Sequence, residues 1–229
     1  MLEPIQHFYQ KEGFQIDNIK NITIGQKYVA VEIMNGNIGV CATLNHSVKT
    51  DFTNLDLTNN SYRIVLNAYY NALLNYNNNY EDSFDIFDKI DFHQAGNVVM
   101  VGYFKSLVQK FEEENISLSI FDLYDESDKI VAIEKQQEYI AKSDTLILSS
   151  TSIFNQTFFD LVNSTPPNCH VYLLGPSSLL HSDMFHYKNI SVLFGSIFQN
   201  NKDKLIDIIK QGEGTPSFSK YMQKVYLKN

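Results

Sequence analysis

Beyond Asn97 the chain alternates between short β-rich runs and longer stretches with helical periodicity. The runs are "NVVMV", "SLSIF", "TLILS", "HVYLL" and "ISVLF", spaced by roughly 20 to 28 residues. Helical patterns fill the intervals, in "KSLVQKFEEEN", "EKQQEYIAKSD" and "NQTFFDLVNS", and a further one, "NKDKLIDIIKQ", follows before Gly212. Apolar strands separated by helical crossovers predict an α/β fold with a doubly wound parallel sheet, covered by helices on both faces.

The first 80 or so residues read as mixed α and β. "PIQHFYQ" places Ile5, Phe8 and Tyr9 at helical spacing. "KYVAVEI" and "NIGVCATL" are β-rich and flank "MNGN", whose Asn35-Gly36 pair suits a hairpin turn. "SYRIVLNAYYNALLNY" predicts a helix capped by Ser61 or Asn60, with Asn67, Asn71 and Asn75 on one face. Polar, acidic "NNNYEDSFDIFDKID" separates the two patterns. The expected organisation is an α+β domain at 1–85, a linker at 86–96 and the sheet domain at 97–229.

In such sheets ligands bind outside the carboxyl ends of the strands, near the point where strand order reverses. Here the expected ends are Gly102-Tyr103-Phe104, Asp122, Ser149 to Ser152, Gly175-Pro176-Ser177-Ser178 and Gly195-Ser196. Glycine permits close backbone approach, proline fixes the following turn, and hydroxyls and helix-start amides can meet a polar or anionic ligand. The competing explanation is that Gly and Ser only cap crossover helices. On the ligand reading, a bulky residue at Gly175 blocks binding without unfolding the protein.

A dinucleotide fingerprint would need glycines at 102, 104 and 107, and the chain has Gly102, Phe104 and Leu107. Asp122 lies 20 residues after Gly102, where a carboxylate could hold the ribose of an adenosyl ligand. Metal-site spacings such as C-x-x-C and H-E-x-x-H do not occur, nor does the G-x-S-x-G nucleophile elbow. Cys41 and His46 flank a strand end, while Cys169 and His170 should point to opposite faces of a strand. Both cysteines read more readily as buried small hydrophobes than as ligands.

Composition narrows the partners. With 44% hydrophobic and 19% charged residues, the 229-residue chain should fold around a sizeable core. A formal charge of −8 argues against nucleic acid as partner. Two cysteines cannot build a disulfide framework and point to a reducing compartment. The start, "MLEPIQHFYQKEG", lacks the basic and apolar regions of a signal peptide, and no run approaches the roughly 20 apolar residues of a membrane span. The expected location is cytoplasmic, without membrane association; a homo-oligomer stays open.

Taken in order, "GVCATL", "NAYYNALLN", "VVMVGYF", "SSTSIFNQT", "VYLLGPSSLL" and "VLFGSIFQN" resemble the motifs of the "putative heavy-metal chelation" family. The resemblance covers nearly the whole chain. It implies an amino-terminal domain similar to that of enolase, then a Rossmann-like domain, with a ligand site in the cleft between them. Carried over by motif, that site draws on Thr43, Asn67, Gly102, Tyr103, Asp122, Thr151, Asn155, Thr157, Gly175, Pro176, Ser177 and Gly195. Tyr103 stands where the family often has His, Asp122 where it often has Glu, and Asn200 where an acidic residue is usual.

Three functions remain open on the sequence: binding of a small polar or anionic ligand or metal complex, a methyltransferase-like enzyme using an adenosyl cofactor, and an interaction scaffold. No general base with an evident partner is visible, which favours binding over catalysis. The sequence names no cofactor.

Overall fold

The computed structural model describes residues 1–80, 85–123 and 127–229. The polar, acidic stretch "NNNYEDSFDIFDKID" therefore lies partly outside the described residues, whereas the expected linker at 86–96 lies within them. Helix α1 (Pro4–Glu12) opens the chain, with Ile5 and Phe8 buried. Strands β1 (Ile19–Ile24), β2 (Tyr28–Ile33) and β3 (Ile38–Ala42) form an antiparallel sheet in that order. The β2–β3 hairpin turns at Asn35-Gly36 as expected, with Gly36 at φ 85°. Strand β1 is not among the sequence expectations. Its "IKNITI" exposes Lys20 and Asn21 and buries fully only Thr23, so apolar alternation is weak.

Helix α2 (Asn60–Leu74) crosses one face of this sheet. Asn59, rather than Ser61 or Asn60, caps it by accepting the Ser61 N–H at 2.9 Å. The helix sits very close to β3. A Cβ at Gly39 would fall 2.1 Å from the Ala68 carbonyl oxygen, so only glycine allows this approach.

The second half begins with α3 (Ile86–Lys89), β4 (Val98–Val101) and α4 (Lys105–Glu113). It continues through β5 (Leu118–Phe121), α5 (Gln136–Ile140), β6 (Thr145–Ser149), α6 (Thr151–Phe154) and α7 (Phe158–Asn163). Then come β7 (His170–Leu174), β8 (Ile190–Ile197), α8 (Lys202–Lys210), α9 (Thr215–Phe218) and β9 (Gln223–Lys228). The six-stranded sheet has the order β5-β4-β6-β7-β8-β9. The five expected runs all become strands, and they run parallel.

Three details differ from the expectation. The sheet is only mostly parallel, because β9 adds an antiparallel edge along β8. Its "QKVYLK" has a single fully buried position, Val225, between Lys224 and a half-buried Tyr226, and was not among the expected runs. The β7–β8 connection carries a short 3₁₀ turn, Ser182–His186, in place of a crossover α-helix. Strand β8 also runs on through Gly195 and Ser196 to Ile197, so these two residues lie inside a strand and not at its end.

Both faces of the large sheet are covered. Met100, Ile120, Ile147 and Phe194 pack with Leu107, Val108 and Phe111 of α4 and with Ile86 and Phe92. Val99, Leu146, Leu148 and Leu173 pack on the other face, in a core shared with α1, α2 and α7. Helix α8 returns to the small sheet: Leu205 and Ile209 pack on Ala30, Ile38 and Val40, across from α2. No helix among the described residues is long and apolar enough to cross a membrane.

Candidate functional site

The chain passes from β4 to β5 on one side and then to β6 on the other, so strand order reverses between β4 and β6. At that point the carboxyl ends of the two strands carry Gly102 and Ser149. Gly102 has φ 103°, and a Cβ built on it would lie 2.6 Å from the Ser149 Cβ. Here the glycine serves both a left-handed backbone and a close contact between neighbouring strand ends. The Ser149 hydroxyl meets that of Thr151 at 2.9 Å, at the start of α6. On the other side of β4, the Tyr103 N–H donates to Asp122 Oδ2 at 2.8 Å. Gly175 follows β7, with φ 133°, and a Cβ there would come within 2.8 Å of Ser150 Oγ.

Gly102, Tyr103, Asp122, Thr151, Gly175 and Pro176 thus share the carboxyl edge, with Ser149 and Ser150 between them, and all six are half-buried rather than sealed. The start of α4 joins this edge. Its cap residue Phe104 supplies no side-chain hydrogen bond, and its carbonyl accepts the Leu107 and Val108 N–H groups at 2.9 Å.

Other expected residues have different surroundings. Ser177 is 1% exposed, its hydroxyl accepting the Ala42 N–H at 3.0 Å. Asn67, fully buried, donates to the Ser177 carbonyl at 2.9 Å. Thr43 is buried in the turn after β3, its hydroxyl donating to the Gln26 carbonyl and its N–H to the Lys27 carbonyl at 2.9 Å. Asn155 Oδ1 accepts from the Thr157 N–H at 3.2 Å and hydroxyl at 2.8 Å, forming the turn between α6 and α7. Gly195 lies within β8, where a Cβ would press on the Leu180 side chain at 3.1 Å.

The four-residue spacing of the asparagines on α2 now has a physical meaning. Asn71 donates to the Val40 carbonyl at 3.0 Å. Asn75 donates to Asn71 Oδ1 at 2.8 Å and to the Ser178 carbonyl at 2.9 Å, and its Oδ1 accepts the Leu180 N–H at 2.8 Å. One turn earlier stands Arg63, the chain's single arginine and fully buried. Its Nε donates to the Phe154 carbonyl at 2.7 Å, Nη2 to the Ile153 carbonyl at 2.6 Å and to Glu3, and Nη1 to the Leu57 carbonyl at 2.9 Å. A polar ridge of Arg63, Asn67, Asn71 and Asn75 therefore binds the amino-terminal unit to α6 and to the loop after β7. These are the segments that follow β6 and β7 at the carboxyl edge. A lone arginine in a helix with no other charged residue was the sequence signal for this ridge.

The cysteines take no part in the edge. Burial pushes the Cys41 thiol up to about 12, against the pull of Ser177 and Asn67 beside it. Burial likewise raises Cys169. Both are free and buried. Among the described residues no group of three or more His, Cys, Asp or Glu is placed to hold a metal ion.

Residues 85–228 match the family described as "Putative heavy-metal chelation", DUF364. Two solved structures of proteins of unknown function from that family have the same fold. One, from Pyrococcus horikoshii, is 17% identical with a TM-score of 0.77, and the alignment covers 92% of this chain and 93% of that one. The other, from Desulfitobacterium hafniense DCB-2, is 18% identical with a TM-score of 0.75 and 98% coverage of both. No curated protein matches the sequence.

Proposed function

We propose that this chain, which belongs to the DUF364 family, binds a small polar or anionic molecule, or a metal carried inside one, at the carboxyl edge of its larger sheet. The ligand sits where β4 and β6 part, in the cleft facing the amino-terminal α+β unit. The observation that carries this reading is the convergence at the switch point of Gly102, the paired Ser149 and Thr151 hydroxyls and the Asp122 carboxylate.

Donor chemistry decides the form in which a metal would arrive. The edge offers hydroxyls and a carboxylate, hard oxygen groups, whereas soft heavy metals favour thiolates. Cys41 and Cys169 are buried as neutral thiols in the core. These residues do not fit a bare soft ion. They suit the polar periphery of a complex whose organic part already holds the metal.

An adenosyl ligand is the second reading, and Asp122 favours it. The carboxylate closes β5, the neighbour of β4, where ribose hydroxyls can be accepted. Calorimetry with S-adenosylhomocysteine separates the two. Binding that Asp122→Asn weakens by roughly 10- to 100-fold, the worth of hydrogen bonds to a charged group, supports the adenosyl reading. Absence of binding, alongside a polar adduct retained by the purified protein, supports the first.

A further inference from the structure

A hollow of about 260 Å³ opens at the carboxyl end of β8, where the residues after α2 meet the start of β9. Tyr76, Tyr80 and Ile197 form part of its wall. Three carboxamides, of Asn79, Gln199 and Gln223, reach it from three separate segments. The hollow lies two strands away from β6 in the sheet order.

Gln223 breaks the pattern of its own strand. It pairs with Ile197 in the β8–β9 register, and it precedes Val225 and Leu227 by two and four residues. Ile197 and Val225 belong to the core, and Leu227 packs against it. Alternate residues leave the same face of a strand, so Gln223 holds an inward position. It is half-buried, yet its carboxamide makes no hydrogen bond to any described residue. Polar groups placed inward are normally paired, because leaving one unpaired costs free energy. The carboxamides of Asn79 and Gln199 also make no hydrogen bond to a described residue.

The wall around these amides is fixed. The Tyr76 hydroxyl donates to the Ile38 carbonyl at 2.7 Å and accepts the Phe198 N–H at 2.9 Å. The Tyr80 hydroxyl donates to the Asn75 carbonyl at 2.6 Å and accepts from Asn78 at 3.1 Å. Both phenol groups are thus engaged with the protein, and both rings pack against the core. The three carboxamides are the groups left to meet an occupant.

Their chemistry narrows what that occupant is. No charged side chain among the described residues lines the hollow, so an ion entering it would shed water without gaining a counter-charge. A carboxamide donates and accepts at once, and so does a hydroxyl group. The volume is below the roughly 300 Å³ at which sites for drug-sized ligands begin, so the occupant is small. We propose that this hollow is a second binding site, which takes a small neutral polyhydroxylated molecule, a monosaccharide or cyclic polyol. Gln199 and Gln223 bond its hydroxyls, while Ile197 and the tyrosine rings meet its C–H surface. The site stands apart from the proposed cleft, with which it shares no residue.

Saturation-transfer NMR on the intact protein tests it, with D-glucose, D-galactose, myo-inositol and glucose 6-phosphate titrated at millimolar concentration. The expected result is binding of at least one neutral compound, and weaker binding of the phosphate than of glucose. Gln223→Leu should weaken binding by about 4- to 100-fold, the worth of two neutral hydrogen bonds. Its unfolding midpoint should be unchanged or raised, since leucine suits an inward position beside Ile197. Gln199→Ala, an exposed change, should weaken binding by about 2- to 10-fold. Thr151→Val, at the proposed cleft, should leave it unchanged. The proposal is overturned if no neutral compound binds, if glucose 6-phosphate binds more tightly than glucose, or if both glutamine variants bind normally. Loss of binding in Thr151→Val would place the compound in the cleft and overturn it equally.

Discussion

The Ser177 hydroxyl accepts the Ala42 N–H at 3.0 Å, across 135 residues of sequence. The loop after β7 is thereby tied to the last residue of β3, and Asn67 and Asn75 tie it again through the carbonyls of Ser177 and Ser178. Ser177→Ala leaves a buried amide without its acceptor. We expect a loss of about 1–3 kcal/mol in urea unfolding. A variant with unchanged stability and lost ligand would return Ser177 to the ligand site.

Arg63 is the stronger tie. Its guanidinium satisfies the carbonyls of Leu57, Ile153 and Phe154 and pairs with Glu3. Arg63→Met fills similar space but leaves those acceptors and a buried carboxylate without a partner. The expected cost in chemical denaturation is about 3–5 kcal/mol, as for other buried pairs broken on one side. A cost below about 1 kcal/mol would mean that water replaces the guanidinium readily.

Gly175 tests what a glycine at a strand end is for. In sequence it suggests close ligand approach and tolerance of bulk. The structure gives it φ 133° and sets Ser150 Oγ against the position of a Cβ, so a side chain there is strained whether or not a ligand binds. Gly175→Ala should cost about 1 kcal/mol or more in thermal or urea unfolding. A neutral result would restore the expectation that only the ligand is affected.

The five parallel strands were legible because each is a compact apolar run between helical patterns, and the Asn35-Gly36 turn announced its hairpin. The face shared by Asn67, Asn71 and Asn75 was legible too, but not its purpose. Spacing alone cannot say whether a polar stripe faces solvent, a ligand or the backbone of a distant loop. Strand β9 was not expected, since its "VYL" is a three-residue apolar run set between lysines and only Val225 of it is fully buried once β8 lies beside it. The β4–β6 switch point depends on strand order, which the linear pattern does not contain. The place of Gly102 and Asp122 at the carboxyl edge was legible from their position after the strands, whereas the motif that drew attention to Ser177 did not tell that its hydroxyl is buried against the Ala42 N–H.

Acid should weaken the contact between α1 and the turn after β7. Asp183 accepts from His7 at 2.7 Å and from Lys11 at 2.8 Å, with His181 nearby at 3.4 Å. Burial pushes its carboxyl up, but these partners outweigh it and hold the group at about 2, below the ordinary 3.8. A depressed native value means that the stabilisation is present above the ordinary value and is lost as pH falls towards 2. Asp183→Asn should therefore destabilise by about 1–2 kcal/mol at neutral pH, and the difference from wild type should close on acidification. A difference independent of pH would contradict the assignment.

We propose that the ligand belongs to the β4–β6 edge and that the Gly-Pro-Ser-Ser loop is a structural tie. Native mass spectrometry of the purified wild type, Thr151→Val and Ser177→Ala tests it most directly, with unfolding curves measured in parallel. We expect a small polar adduct on the wild type and on folded Ser177→Ala, and its loss from Thr151→Val at near-normal stability. An adduct kept by Thr151→Val and lost from folded Ser177→Ala would contradict it, as would a wild type that carries no adduct at all.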